Sequence, residues 1–357
     1  HVATFDRYLG AGYAGVDIFF LLSGFNIAYT YGDSIDLRDP RAWAGFLRKR
    51  LARLYPVHLV TLLAVAALYF GARAFDITVA ARNDYSRISF LNNVFLMHDW
   101  FQPRTLSWNY PSWTISAEWA AYLAFPLLAW LLLRRQLPTI VALAALIVVL
   151  LTFERAIFDG LDPVGLVRIA AEFTSGVLLF ALYRNRFAAA VPWHRLGLPL
   201  LVVSIALSVY SFDRTGTALR VVPVFALLVY ALAWERPLRP LRAVAAGGVL
   251  DRSRTPLLAT RPLVYWGKVS YSLYMTHAVT DMVLVRWLRS TELVTAAVPL
   301  KLLVACAYVV VIAAVAAATY HWVEEPARRR LNPRRPEPAP SSPEPREPTS
   351  LDAARIG

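Results

Sequence analysis

Long apolar runs, several of them free of any charge, constrain this chain more than any other feature of its sequence. The runs at 54–71, 137–153 and 302–323 contain no Asp, Glu, Lys or Arg. A helix crosses the ~30 Å hydrocarbon layer of a bilayer with about 20 residues, and each run is close to that length. Charged residues make up 17% of the chain, whereas soluble domains contain about 25%. The sequence therefore excludes an ordinary water-soluble protein.

Nine such segments predict an all-α fold, a polytopic bundle of transmembrane helices. The strands of a membrane barrel would be about 10 residues long and would alternate in polarity, which these runs do not. We expect a tenth span before His1 if the intact protein begins in the cytoplasm. The nine predicted spans are Tyr13–Tyr31, Leu54–Gly71, Trp113–Leu133, Leu137–Phe153, Pro163–Tyr183, Leu196–Phe212, Thr215–Trp234, Val264–Trp287 and Leu302–Val323.

Basic residues in the connections predict the orientation of the bundle. Alternate connections, together with the segment after Val323, carry 24 Lys and Arg, and the connections on the other side carry nine. Because cytoplasmic loops are enriched in Lys and Arg, we expect a multi-pass protein of the cell membrane with a cytoplasmic C-terminus and with His1 outside. The net charge is +13, but the basic residues lie between apolar runs rather than in one patch. We therefore expect membrane lipid, and no nucleic acid, as a partner.

Two segments outside the spans stand out. Residues 333–350 are rich in Pro and Glu and nearly free of apolar side chains, so they cannot bury enough surface to offset the entropy of ordering. We predict a transmembrane domain at 1–330 and a disordered Pro/Glu-rich cytoplasmic tail at 331–357. The longest outer loop, 72–112, is long enough to suggest a functional role.

Ionisable residues within the spans are candidates for a site, because such groups are costly in hydrocarbon. Arg168 and Glu172 are spaced i,i+4 and can pair on one helix face, which fits a structural ion pair as well as a binding role. Glu118 and Tyr122 also share a face, and there the spacing favours a site over a structural contact. The full set of ionisable residues within spans is Asp17, Glu118, Arg168, Glu172, Lys268, His277 and Asp281.

The sequence gives little support for a metal site. Cys306 is the single cysteine, so a cysteine-based metal site is excluded, and no helical HxxxH or HExxH spacing occurs. We expect no metal, and no special role for most of the six histidines. The basic cluster Arg48, Arg50 and Arg53 lies at the predicted cytoplasmic membrane face. It fits either contact with anionic lipid or the binding of a phosphate-bearing cytosolic ligand.

Five motifs in order resemble those of the integral-membrane acyltransferase-3 family, whose members O-acylate glycans, peptidoglycan, lipopolysaccharide and macrolides. Residues Arg168–Gly176 give a looser match. The motifs are Gly15–Phe25, similar to GVDxFFxLSGF; Arg48–Pro56, similar to RRxxRIxP; Ser112–Tyr122, similar to WSLSxExxxY; Val269–His277, similar to ISYSLYLxH; and Glu325–Arg328 with Glu324, similar to ExPxR.

The resemblance implies an O-acyltransferase that moves an acyl group, with acetyl as the expected one, from cytosolic acyl-CoA to a hydroxyl of a glycan, lipid or secreted metabolite. No bound cofactor is implied. His1 lies fourteen residues before Gly15, where the family has an essential histidine, although the basic residue that precedes that histidine would lie upstream of this sequence. Such a histidine serves as a base or as an acyl-carrying nucleophile, oriented by Asp17 or Glu118.

The resemblance also implies a set of substrate-binding residues. Arg48, Arg50 and Arg53 would hold the phosphates of the coenzyme at the cytoplasmic mouth. The others would contact substrate along the passage between the two sides: Ser23, Trp113, Ser116, Tyr122, Arg168, Glu172, Tyr271, Tyr274 and His277.

A transporter or exporter of lipid-linked sugars or acyl groups is the alternative. Arg168, Glu172 and Asp281 would then line a substrate path. Transporters often contain inverted repeats and broken helices, and the sequence shows neither. A purely structural scaffold would leave both Glu118 and the arginine cluster unexplained.

Overall fold

The fold is described from a computed structural model covering residues 14–36, 38–77, 83–100, 106–134, 142, 146, 164–215, 219–234, 260–289 and 298–331. Within these ranges the regular secondary structure is helical apart from one parallel pair of two-residue strands, β1 (Asn83–Asp84) and β2 (Leu106–Ser107). The predicted all-α class is confirmed. The predicted tail at 331–357 lies outside these ranges except for Leu331, the last residue of a helix.

The helices follow the apolar runs. A 3₁₀ turn (Tyr110–Ser112) leads into α4, and π-helical turns follow α4 (Ala129–Arg134) and α9 (Tyr320–Glu324). The helices are α1 (Ala14–Tyr31), α2 (Pro40–Ala74), α3 (Arg87–Val94), α4 (Trp113–Leu128), α5 (Val164–Arg184), α6 (Gly197–Thr215), α7 (Val222–Ala233), α8 (Arg261–Arg289), α9 (Val298–Thr319) and α10 (Glu325–Leu331).

Four helical segments of the described chain are long and apolar enough to cross a membrane: Pro40–Ala74, Tyr110–Leu133, Gly165–Arg184 and Leu303–Leu331. They coincide with four of the predicted spans. The helices α1, α6, α7 and α8 occupy four more, and of these α6 and α7 are apolar but shorter. The span predicted at Leu137–Phe153 lies outside the described residues apart from two isolated positions. The chain is a helical membrane protein, and the number of spans remains a prediction.

Two glycines let α1 and α5 approach each other closely. A Cβ at Gly24 would overlap the backbone carbonyl of Phe173, and a Cβ at Gly176 would overlap the carbonyl of Leu21. Small residues at such crossings let two helix backbones pack against each other, which is a common way to associate helices in lipid. This contact holds α1 against α5 about two helical turns from Asp17 and Arg168, so the two helices are still adjacent where their charged residues meet.

The long helix α2 sets the frame for the other side of the bundle. Asp39 caps its N-terminus by accepting hydrogen bonds from the backbone N–H groups of Arg41 and Ala42, and Pro40 occupies a position where its missing N–H costs nothing. With 35 residues the helix is about 52 Å long. Its second half packs with Trp108 around Leu62 and Val65. Because α2 touches α4 and α8 as well, it links the parts of the bundle that hold the candidate site.

Candidate active site

A buried carboxylate lies at the centre of the candidate site. Glu118 is on the second turn of α4 and is 2% exposed. Its Oε1 accepts a hydrogen bond from Ser23 Oγ on α1 at 2.8 Å and another from the Tyr122 hydroxyl one helical turn further along. Its Oε2 is buried and has no hydrogen-bond partner among the described residues. Hydrogen bonds therefore hold one carboxylate oxygen in place, and the other is available as an acceptor.

Arg50 approaches this carboxylate from α2. Its Nη2 donates to the Tyr31 hydroxyl at 2.9 Å, and its guanidinium lies over the rings of Tyr31, Phe46 and Tyr122 at 5.1, 5.8 and 6.0 Å. The Nε of Arg50 is buried and unpaired within the described part of the chain. Aromatic faces attract a guanidinium and hold its plane, so the three rings orient Arg50.

The other two arginines of the cluster are exposed. Arg48 and Arg53 both lie on the solvent-accessible part of α2. Arg53, like Arg50, is close enough to attract the charge of Glu118 electrostatically. The predicted arginine cluster therefore adjoins the Glu118 site, and Arg50 is its inward member.

A buried ion pair lies near the N-terminal ends of α1 and α5. Arg168 donates to Asp17 Oδ1 from Nε, at 2.7 Å, and from Nη2, and its Nε is 3.5 Å from Glu172 Oε1. All three side chains are fully buried, and the guanidinium lies 5.9 Å from the Trp113 ring centroid. The i,i+4 pairing of Arg168 with Glu172 is present, but the stronger partner of Arg168 is Asp17, which the sequence did not reveal.

These groups follow one another along α1 and form what we call the polar column. Asp17 marks one end, Ser23 lies six residues or about 9 Å further, and Tyr31 lies about 12 Å beyond Ser23. At these three heights the column contains the Arg168 ion pair, the Glu118 carboxylate and the Arg50 guanidinium. Polar groups thus extend through most of the length of the apolar bundle.

The predicted residues on α8 divide into two groups. Tyr271 is buried, donates its hydroxyl to the Leu54 carbonyl at 2.5 Å, and interacts electrostatically with Glu118, so it borders the column. His277 is placed elsewhere, with Nδ1 donating to the Tyr274 carbonyl at 2.5 Å and its ring packed edge-on against Tyr110. His277 therefore lies beside Tyr110, just before α4, and Tyr274 packs against the His277 ring.

Ser116 is occupied by the loop that precedes α4. Its Oγ donates to the Leu96 carbonyl at 2.8 Å and accepts from the Asp99 backbone N–H at 3.1 Å, while its carbonyl accepts from Trp100 Nε1 at 3.0 Å. Burial raises the pKa of Asp99, which follows in that loop, to about 7. In this arrangement Ser116 anchors the loop to α4.

Sequence reasoning missed a pair of stacked histidines. The rings of His58, on α2, and His98, in the loop before α4, are parallel within 2° with centroids 5.8 Å apart. His58 Nε2 donates to the Asn93 carbonyl at 2.9 Å, and His98 Nε2 lies 3.0 Å from Ser112 Oγ. Burial, followed by repulsion from His58, lowers the pKa of His98 to about 3. No spacing in the sequence links these histidines, because only folding brings them together.

Two expectations remain, a catalytic role for His1 and the absence of a metal site. His1 lies outside the described residues, so its catalytic role stays a prediction. Within the described ranges, no group of three or more His, Cys, Asp or Glu side chains is arranged to hold a metal ion.

A comparison with protein families supplies the missing context. The acyltransferase-3 family, whose model is described as an acyltransferase domain, matches residues 2–320. The chain belongs to this family. The match includes the whole polar column and confirms the resemblance carried by the five motifs.

Individual relatives of this acyltransferase-3 chain match over shorter stretches. Acyltransferase MdmB of Streptomyces mycarofaciens is 34% identical over 129 residues, which are 36% of this chain and 30% of the relative. Protein 2 in the picA locus of Rhizobium radiobacter is 43% identical over 67 residues, which are 18% of this chain and 34% of the relative. The chain thus matches about a third of the length of each. No solved structure matches it significantly.

Proposed function

We propose that this chain is an integral-membrane O-acyltransferase that moves an acyl group, with acetyl as the first candidate, from cytosolic acyl-CoA to a hydroxyl of a glycan, lipid or secreted metabolite. Family membership supports the reaction class. The observation that carries the proposal is the polar column, in which Glu118 Oε2 and Arg50 Nε are both buried near Tyr122 and have no hydrogen-bond partner among the described residues.

The arginine end of the column suits the donor. A guanidinium binds phosphate oxygens through parallel N–H donors, and Arg50 retains a free N–H while three aromatic rings fix its plane. The exposed Arg48 and Arg53 can add charge at the same mouth. In the proposed orientation this mouth faces the cytoplasm, with the C-terminus on the same side.

The reaction requires little beyond a proton acceptor and alignment. A hydroxyl oxygen bonds to the thioester carbonyl carbon, the carbon–sulfur bond breaks, and the hydroxyl proton ends on the released coenzyme thiolate. In this proposal His1 takes that proton, or carries the acyl group in transit, and Glu118 Oε2 accepts a hydrogen bond from the reacting group. Tyr122 and Ser23 hold the carboxylate while this happens.

Radiolabelled acetyl-CoA tests the proposal in membranes that carry the chain. Label should enter a lipid, glycan or secreted small-molecule fraction, and mass spectrometry should find one added acyl group there. Arg50→Glu should raise the KM for acetyl-CoA, because it replaces the phosphate-binding charge by a repulsive one. Arg41→Glu, an exposed change at the start of the same helix, is the matched control.

Two results would contradict the proposal. If no fraction is labelled and a lipid-linked sugar moves across the membrane, the transporter is favoured. An unchanged KM in Arg50→Glu would exclude Arg50 from donor binding.

A further inference from the structure

The helix α3 lies alongside the second half of α2 in a regular antiparallel register. The Tyr55 hydroxyl donates to the Val94 carbonyl, and His58 donates to the Asn93 carbonyl. Phe90 packs at the Leu62 and Val65 cluster, and the Tyr85 ring stacks on Tyr69 at 4.3 Å. As the chain proceeds from Tyr85 to Val94, it therefore descends along α2 from Tyr69 to Tyr55.

This register places α3 at the depth of a membrane span. Tyr55 and Tyr69 are about 21 Å apart along the helix axis, and both lie within the span predicted at Leu54–Gly71. The same part of α2 exposes Val60 and Leu63, as expected for a face that meets lipid. The predicted outer loop 72–112 therefore does not lie wholly beyond the end of the span, because its residues 85–95 run beside it.

The side chains of α3 and the next residue have the polarity of a lipid-facing segment. Ser89 and Asn93 are fully buried, whereas Ile88, Leu91 and Phe95 are 70%, 55% and 65% exposed. Arg87 is the exposed charged residue of the helix, and it lies at the first position, next to the Tyr69 end where a long side chain can reach the membrane surface. The spacing of the exposed residues, i, i+3 and i+7, puts them on one face. A helix with polar residues inside and apolar residues outside is unfavourable against water and favourable against hydrocarbon.

The turn after α3 satisfies its backbone without water. The carbonyls of Asn93, Val94 and Leu96 accept from His58, Tyr55 and Ser116. The N–H groups of Phe95 and Met97 donate to carbonyls within α3. Irregular backbone at membrane depth is tolerated only where protein supplies these partners, and here protein does so.

We propose that residues 85–95 form a re-entrant segment whose Ile88, Leu91 and Phe95 face contacts the acyl chains of the bilayer. This placement is independent of the acyltransferase proposal. Lipid is the expected occupant of the face because α3 lies at the same depth as Val60 and Leu63, which are exposed on α2.

Spin labels measure the environment directly. In a Cys306→Ser background, Ile88→Cys, Leu91→Cys and Phe95→Cys are labelled singly in the full chain and reconstituted into phosphatidylcholine vesicles. Val60→Cys and Leu63→Cys are matched lipid-facing controls, and Phe75→Cys, just beyond the end of α2, is the aqueous control. Collision rates with oxygen and with a water-soluble nickel chelate are compared at each position.

The three α3 labels should match Val60 and Leu63, with frequent oxygen collisions and loss of the nickel collisions found at Phe75. Nickel collisions at the Phe75 level would overturn the proposal in favour of water, and a label shielded from both reagents would overturn it in favour of a second copy or another protein. If a variant does not survive purification, the same cysteines are tested in native membranes. There a membrane-impermeant maleimide should label Phe75→Cys and spare Leu91→Cys, and labelling of both would equally overturn the proposal.

Discussion

Among single side chains, Glu118 shows best how the fold stabilises a buried carboxylate. A carboxylate in an apolar bundle is costly, and here the cost is offset by two hydrogen bonds to one oxygen and by attraction to Arg50 and Arg53. Helical spacing predicts the Tyr122 contact, four residues away. The Ser23 contact joins residues 95 positions apart, and no local pattern predicts it.

Glu118→Gln removes the negative charge of this side chain and keeps its size and shape. The amide keeps an oxygen that can accept from Ser23 and Tyr122, but its NH2 group replaces Oε2, so the reacting group loses its acceptor. Because a hydrogen bond to a charged group contributes about 1.5–3 kcal/mol, we expect the transfer rate to fall by about 10- to 10²-fold, with normal folding. Acyl transfer in membranes and thermal unfolding in detergent measure the two effects. Asp33→Asn, on an exposed ion pair with Arg184, is the control and should leave transfer unchanged. Wild-type transfer by Glu118→Gln would remove this carboxylate from the reaction.

Arg168→Leu tests whether the ion pair in the column is structural. The change leaves Asp17 and Glu172 buried without their cation, so we expect a loss of about 3–5 kcal/mol in the free energy of unfolding. Asp33→Leu removes the exposed partner of Arg184, which keeps its hydrogen bond to the Leu133 carbonyl, and should cost about 0–1 kcal/mol. Denaturant unfolding in micelles compares the two variants, and equal losses would contradict the structural role.

Between helices, the contact of α1 with α5 decides where the charges of the column meet. Gly24 and Gly176 bring the two backbones together, and this proximity lets Arg168 reach Asp17 across 151 residues of sequence. The motif around Gly24 was visible in the sequence, but the helix that packs on it was not. A glycine in the sequence indicates that another helix can approach closely, but it does not identify that helix.

Gly24→Ala should destabilise the protein although alanine favours helix. Its Cβ would overlap the Phe173 carbonyl, and such overpacking typically costs about 1–3 kcal/mol. Gly45→Ala, in α2, meets no atom within 4 Å and should be neutral or stabilising by up to about 1 kcal/mol. Thermal unfolding and acyl transfer of both variants test this. Identical behaviour would mean that α1 and α5 do not touch at Gly24.

For the molecule as a whole, stability should depend on pH through His98 and Asp99, which are buried in the loop between α3 and α4. The pKa of Asp99 is raised from 3.8 to about 7, with burial as the cause. Among the described residues, its neighbours Ser116 on α4 and Gly165 on α5 carry no charge, and His98 lies beside it in sequence. His98 behaves in the opposite sense, since its lowered pKa makes falling pH unfavourable between 6.5 and about 3.

Asp99→Asn isolates one of these contributions. Between pH 4 and pH 7 the folded state holds the Asp99 proton and the unfolded state releases it, so rising pH destabilises the wild type through this group. The free energy of unfolding of the variant should therefore increase relative to wild type as the pH rises through this window. Asp76→Asn, at an exposed left-handed position that Asn tolerates, is the control. Parallel pH curves for Asp99→Asn and wild type would refute the assignment.

Local order and family membership could be obtained from the sequence, since helices follow from long apolar runs and the i,i+4 pairs Glu118–Tyr122 and Arg168–Glu172 follow from helical geometry. The motifs led to the acyltransferase-3 family for the same reason, because they are short and contiguous. Contacts across the bundle required the folded chain. Ser23 with Glu118, Asp17 with Arg168, the stacked His58 and His98, and the depth of α3 all depend on how helices pack and how far a loop descends between them. Hydropathy predicts which segments lie in the membrane, but it does not predict which helices pack against each other.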